Sequence, residues 1–479
     1  MIINIDNIEQ YRENNRIEAK KALGGLPHSI WETYSSFANT LGGIILLGVE
    51  EHRDKSFHTV DLTNPDQLID EFWQKLSDPK KASVNILSKN NISIHVIDGH
   101  HIIAITVPRA QRHERPVYID GNPYEGTYRR CGEGDYRCSH AQVDAMLRDA
   151  AAYSPDMQPV ASAELADFDE KTLRRYRSRL RKRKPGPLAE ISDNPRFLQE
   201  IGAADFSKDG RLHPTVAGVL MFGKKDAILK FNPHFQLIYR EQKDNTSQAI
   251  HESFEGNIYE FYFRCSDRLC RDLPISKNGS ASVQQAMFRS AVREALTNCL
   301  INADYQSRDS IIVSRFPERI EFRNPGSFRV SPSHAINGGI SDPRNAALMK
   351  LFNLVDIAKR SGSGISNLYA SSRSFSLPEP QISEQFNPER VILTLFLGSN
   401  RTPDRKTRSR SQKNRIHNQM RKEAILSYLT EHISASEAAL RKALSLSPEE
   451  LHPLLHSLTT SEILVPYEEK GETVYRLKA

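Results

Sequence analysis

The segment Ser36-Phe37-Ala38-Asn39-Thr40-Leu41-Gly42-Gly43 constrains the fold most, because it closes a helix-patterned run over 30–40 and feeds straight into Ile44-Ile45-Leu46-Leu47-Gly48-Val49. The second run is short, branched and apolar, which is the pattern of a buried strand. The glycine pair permits a tight turn or a close backbone approach. A helix, a two-glycine turn and a buried strand in succession call for helix packed on sheet. His101 to Val107 reads as another strand and 66–76 as another helix, so residues 1–150 form a first mixed domain.

Pro155 and Pro159 mark its boundary. A middle domain over 160–398 has strands expected at Ala217–Phe222, Phe235–Tyr239, Ile311–Arg315 and Val391–Leu397, and its longest helix from Val283 to Asp304. The stretch 399–414 is polar and basic, without apolar periodicity, and reads as a linker. The terminal module, 415–479, has helices expected at about 416–430, 434–443 and 447–460. They precede strands at Ile463–Tyr467 and Glu472–Leu477, an order that predicts a winged helix-turn-helix. The fold class is α+β and multidomain, with about three domains fitting 479 residues.

The formal charge is +6, but residues 401–422 alone hold nine Lys/Arg and one acid, so the basicity is local. A second run, Arg174 to Lys184, has eight Lys/Arg and no acid. Two such runs fit a polyanionic partner, and the plainer account is a solvated linker and a solvated helix face. No apolar stretch reaches the ~18–20 residues of a membrane helix, and no secretory signal is visible at the N-terminus. Five cysteines in a chain this long are not a disulfide framework, so a reducing, cytoplasmic setting is expected. Neither Cys131/Cys138 nor Cys265/Cys270 has the spacing of a zinc pair.

Chemistry concentrates first at Glu13 and Ile17-Glu18-Ala19-Lys20. On a strand, Glu18 and Lys20 share one face while Ile17 and Ala19 take the other. Many metal-dependent nucleases place a carboxylate and a lysine this way: the acid holds a divalent cation and the lysine steadies attacking water or phosphorane charge. The buried strand carries a further acid to its end, so Glu13, Glu18 and Glu50 or Glu51 can converge, and oxygen ligands suit Mg²⁺ or Mn²⁺.

These elements resemble the Schlafen AlbA-type domain. The resemblance rests on Ile17 to Lys20, Phe37 to Gly43 and Leu47-Gly48-Val49-Glu50, with Arg115-Pro116-Val117-Tyr118 and Tyr128-Arg129-Arg130-Cys131-Gly132 in support. It covers about 10–145 and implies a metal-dependent ribonuclease acting on tRNA or rRNA, although many members only bind nucleic acid. The implied metal ligands are Glu13, Glu18 and Glu50, with Lys20 assisting; Glu50 stands where Asp is usual, and Glu51 is the alternative.

In the long helix, Glu294, Asn298 and Asn302 recur every four residues, and asparagine is a poor helix-interior residue, so a site is expected there. With Asp304, Asn324-Pro325-Gly326, Arg344-Asn345 and Gly362-Ser363-Gly364, this set resembles the RecG-like C-terminal domain, a divergent relative of the GHKL ATPases with an α/β-sandwich fold. The resemblance covers about 190–395 and implies an ATP site on Glu294, Asn298, Asp304, Asn324, Gly326, Gly362 and Gly364. There the glutamate would activate water and Asn298 would hold Mg²⁺. The usual adenine-binding Asp is absent, and Asn302-Ala303 replaces the usual His-Arg, so ATP is expected more firmly as a ligand than as a substrate.

The combined expectation is a metal-dependent endoribonuclease for structured RNA such as tRNA, with the middle domain sensing a nucleotide or holding a dimer. Relatives with two AlbA-like lobes form a groove, so one lobe here implies a homodimer. At family level the resemblance also suggests phage defence. The rival expectation is a non-catalytic transcriptional regulator that reads DNA through the winged helix.

Overall fold

The computed structural model describes residues 14–242, 250–271, 281–330, 332–337, 341–358, 364–374, 377–397, 425, 429, 434–444, 447–460, 464–469 and 472–477. The chain divides into two compact units, Met1–Ser399 and Asn400–Ala479.

The first unit begins with β1 (Ile17–Lys20), α1 (Ile30–Asn39), β2 (Gly43–Leu47), β3 (Val49–Glu51) and β4 (Phe57–Thr59). It continues through α2 (Pro65–Leu76), β5 (Ile92–Ile97), β6 (His100–Val107), α3 (Pro123–Gly126), β7 (Tyr128–Cys131), β8 (Gly134–Arg137) and α4 (His140–Ala150). The sheet runs β1-β2-β6-β5, with β1 parallel to β2 and the other pairs antiparallel. Alternation sorts its side chains: Ile45, Leu47, Ile103 and Ile105 pack under α1 and α2, while Ile17, Ile44, Leu46 and Ile102 form a core on the other face. Ala19 joins that second core, which leaves Glu18 and Lys20 on the α1 side of an edge strand.

The two glycines after α1 do different work. Gly42 sits at φ +71, where a Cβ would stand 2.8 Å from the Val107 carbonyl oxygen and 2.9 Å from the Arg109 nitrogen. At Gly43 a Cβ would meet the Phe37 ring at 2.6 Å, so α1 folds back onto β2 only without side chains there. Gly42→Ala is expected to cost about 1–3 kcal/mol, because alanine meets both a disfavoured φ and backbone it cannot push aside. A thermal melt within a degree of the parent would contradict this.

The middle of the first unit is built on a six-stranded sheet. Its order is Ile250–Phe254, Leu237–Glu241, Ile311–Arg315, Arg319–Pro325, Glu389–Phe396, Gln381–Phe386. Only the Leu237–Glu241 and Ile311–Arg315 pair is parallel. The long helix spans Ala281–Ile301. The strand expected at Ala217–Phe222 is instead a helix, Val216–Phe222. Its residues from Ala217 onward are buried all round, so the sequence shows no helical stripe. The Thr215 hydroxyl accepts from the Gly218 amide and caps the helix start.

In the second unit Ser434–Ser436 is a strand, followed by helices Glu437–Leu444 and Pro448–Thr460 and by strands Leu464–Glu469 and Glu472–Leu477. Glu472–Leu477 lies between the other two strands, antiparallel to both. The expected linker, 399–414, and most of the expected helix 416–430 lie outside the described residues. No helix among the described residues is long and apolar enough to cross a membrane.

Candidate functional site

On the α1 side of β1, Lys20 Nζ stands 2.8 Å from Glu18 Oε1 and donates to Ser29 Oγ at 3.0 Å. Arg130 Nη2 stands 2.7 Å from Glu18 Oε2, with the Arg130 side chain only 1% exposed. The guanidinium also donates to the Asn14 carbonyl at 3.0 and 3.1 Å, to the Ile17 carbonyl, and to Asp135 Oδ1 at 3.0 Å. Asp135 in turn accepts from Thr33 and Ser36 of α1. The result is a charge-balanced cluster of two acids and two cations, with Glu18 13% exposed and Asp135 11% exposed.

The polar residues of the helix-to-glycine segment brace this corner. Asn39 donates to the Val117 and Tyr128 carbonyls and accepts from the Val117 amide, which docks β7 against α1. Thr40 Oγ1 accepts from the Arg130 amide, and the Arg130 guanidinium lies over the Phe37 ring. Sequence reasoning noted Arg130 as part of a pattern but gave it no role, and it passed over Asp135. An arginine on the hairpin that faces the expected acid strand is the signal that could have found them.

Of the other expected N-terminal residues, Glu50 and Glu51 pair with lysines outside this cluster. Glu13 lies outside the described residues. Glu50 pairs with Lys21 at 2.5 Å, and that hydrogen bond holds its carboxyl below the usual range. Glu51 pairs with Lys55 at 3.1 Å. Among the described residues no group of three or more His, Cys, Asp or Glu side chains could hold a metal ion. Among the described residues, the expected ligand Glu18 already faces a cation at each oxygen. The described residues alone therefore do not make a cage for Mg²⁺ or Mn²⁺.

A second site is a cavity of about 680 Å³ between the long helix and the six-stranded sheet. Glu294, Asn298 and Asn302 line it, as their spacing predicts, and so does Asn324. Asp304 and Gly326 do not. Asp304 pairs with Arg148 of α4 at 3.1 Å, and Gly326, at φ +97, makes room for the Arg344 guanidinium. Gly364 begins the helix Gly364–Ser374, and Gly362 lies outside the described residues. The basic helix Glu170–Arg183 sends Arg179 and Arg183 to the cavity wall. Its other arginines are partly spent internally: Arg175 pairs with Glu260, Arg177 lies over Phe197, and Arg181 donates to the Ala189 carbonyl. That run is thus less a free surface than its composition implies.

Between these two sites runs a joint of ion pairs. Arg109 grips Glu384 at 2.5 and 2.9 Å, and Arg129 grips Glu389 at 2.9 and 3.2 Å. Arg344 grips Asp149 at 2.8 and 2.6 Å, and Arg112 pairs with Asp342. Burial works to raise the Glu389 carboxyl, but Arg129 outweighs it, with Ser327 and Arg344 adding to the effect, and holds it at about 2. Arg129 and Arg130 are neighbours on β7, one facing Glu389 and the other Glu18.

Residues 13–139 match the family described as Schlafen, AlbA_2. Residues 309–393 match "Putative ATP-dependent DNA helicase recG C-terminal", and 144–238 match a domain of unknown function, DUF8451. No curated protein matches the chain. Among solved structures, the DIP2311 protein from Corynebacterium diphtheriae is similar at 18% identity over 97% of this chain and 92% of that one, with a TM-score of 0.41. The N-terminal domain of a "Putative ATP-dependent DNA Helicase RecG-related Protein" from Nitrosomonas europaea is 28% identical over 28% of this chain and 89% of that one, with a TM-score of 0.22.

Proposed function

Since the chain carries a Schlafen AlbA_2 domain and a RecG-like C-terminal domain, we propose that it is an endoribonuclease for structured RNA such as tRNA, with a nucleotide held in the middle cavity. The observation that carries this reading is the meeting of Glu18, Lys20 and Arg130 at an edge strand of the AlbA_2 domain. Lys20 is 10% exposed and offers an ammonium to a phosphate arriving at this edge, where it would stabilise the charge that builds on the phosphorane. Glu18 orients Lys20, and Arg130 fixes Glu18. The reading includes Mn²⁺ or Mg²⁺ held by Glu18 with Glu13 and Glu50, which when bound would supply Lewis-acid charge. Glu50 would first have to leave Lys21, and Glu18 would have to turn an oxygen away from Lys20 or Arg130.

The test is purified protein incubated with total tRNA and Mn²⁺, with EDTA and Glu18→Gln as controls, on a denaturing gel. Discrete EDTA-sensitive fragments, absent with the variant, are expected. Intact tRNA in every lane, with and without ATP, would overturn the nuclease reading.

The second unit supports another reading, a transcriptional regulator. Two helices followed by a hairpin whose inner strand pairs with Ser434–Ser436 fit a winged helix that would read DNA. Sequence-specific duplex binding lost on removing 415–479, with no RNA cleavage by the full chain, would favour it.

A further inference from the structure

We propose that Arg329, on the cavity wall where it shares Asp342 with Arg112, is the seat for the phosphate group of the cavity's ligand, with Arg112 supporting it through Asp342. Asp342 acts as the resident carboxylate that the phosphate displaces or joins. The inference rests on the cavity being a nucleotide site and adds where the anionic end is received.

One carboxylate here serves two guanidinium groups. Arg112 Nε bonds Asp342 Oδ2, and Arg329 Nη2 stands 3.2 Å from Asp342 Oδ1. Arg112 is also anchored by the Asp149 and Ala151 carbonyls at 2.7 and 3.1 Å, so it cannot swing away. The Arg329 side chain is 8% exposed, and its Nε has no hydrogen-bond partner among the described residues. Burial lowers the Arg329 guanidinium from its ordinary value.

The neighbouring turn carries a further uncompensated cation. Arg115 is buried and donates from Nη2 to the Phe328 carbonyl, while its Nε and Nη1 have no hydrogen-bond partner among the described residues. Arg109 donates to the same carbonyl at 3.2 Å, but Glu384 neutralises it. Guanidinium groups therefore outnumber carboxylates around Ser327–Arg329. A buried cation short of partners is unfavourable, and a bound anion relieves it. Arg329 lines the cavity with Ser327, Phe328 and Asp342, whereas Arg112 and Arg115 do not and meet its wall through Asp342 and the Phe328 carbonyl, which they hold.

The sign of one substitution separates this from a base-binding role for Asp342. A carboxylate that competes with phosphate for Arg329 should weaken binding, so Asp342→Asn should tighten it. A carboxylate that contacts the base should do the reverse. Calorimetric titration of the full chain with ATP, pyrophosphate and adenosine makes the test. Arg329→Gln is expected to weaken ATP and pyrophosphate about tenfold or more, with Arg329→Lys recovering part of the loss and adenosine unaffected. Asp342→Asn is expected to tighten both phosphates severalfold. Wild-type protein that binds ATP, with an Arg329→Gln variant that binds it equally well or an Asp342→Asn variant that loses it, would overturn the seat alone. Wild-type protein that binds none of the three would overturn the nucleotide reading of the cavity as well. Far-ultraviolet circular dichroism on each variant shows that it is folded.

Discussion

Arg130→Ala is expected to remove about 3–5 kcal/mol of unfolding free energy, the scale for deleting one partner from a buried, hydrogen-bonded charge cluster. Arg130 is almost wholly enclosed and touches two carboxylates and two backbone carbonyls. Without it, Glu18 and Asp135 keep their charges in a poorly hydrated corner, and the turn before β1 loses the donor that fastens Asn14 and Ile17. Most single domains have only ~5–15 kcal/mol in total, so the loss is a large fraction of the whole. Arg130→Lys should recover only part, because an ammonium cannot span the same fork of acceptors. Urea denaturation of the parent, both single variants and the Arg130→Ala, Glu18→Gln pair would check the cluster. The double variant should lose less than the sum of its parts. Additive losses, or a midpoint shift in Arg130→Ala worth under ~0.5 kcal/mol, would mean that Arg130 does not hold the corner. The same coupling makes Glu18→Gln a better test of catalysis than Glu18→Ala. The amide keeps a polar partner for Arg130, and lost cleavage is then not lost folding.

What the sequence disclosed follows from how local each signal is. The α1–glycine–β2 passage was legible because each step is decided by neighbours: a helical run, two positions without side chains, then a buried strand. The shared face of Glu18 and Lys20 follows from the period of a strand, and the cavity face of Glu294, Asn298 and Asn302 from that of a helix. The helix Val216–Phe222 was misread because burial on all sides erases the difference between those two periods. Arg130 and Asp135 escaped because they reach β1 only through the β7–β8 hairpin, a long-range pairing that no local pattern announces. Asp304, Gly326 and Arg344 sit in an ordered motif, yet the chain uses them to join the N-terminal domain to the middle one. Motif order can show which loops meet, but here it did not show what those loops hold.

As pH falls from 5 towards 2.5, the parent is expected to lose stability more steeply than Glu389→Gln. The folded Glu389 carboxyl is depressed from an ordinary 4.5 to about 2 by Arg129 against the opposing effect of burial. A depressed carboxyl stabilises the fold fully above its unfolded value, and that contribution is lost as pH falls towards the folded value. The gap corresponds to about 3 kcal/mol. At pH 7 the variant should be less stable than the parent by a similar amount, since it leaves the Arg129 side chain, 5% exposed, without its carboxylate. Some slope should persist in the variant, because Asp149 is also held low by Arg344 against burial. Urea unfolding at closely spaced pH values should show the two curves converging in acid. Parallel curves would mean that Glu389 titrates alike in the folded and unfolded chain. Because β7 carries Arg129 towards Glu389 and Arg130 towards Glu18, loss of the first grip should loosen the second. Amide exchange at Ile17–Lys20 should then quicken in Glu389→Gln more than exchange at Ile311–Arg315. Equal acceleration at both strands would mean that the joint stabilises the unit as a whole and carries no specific link to the Glu18 corner.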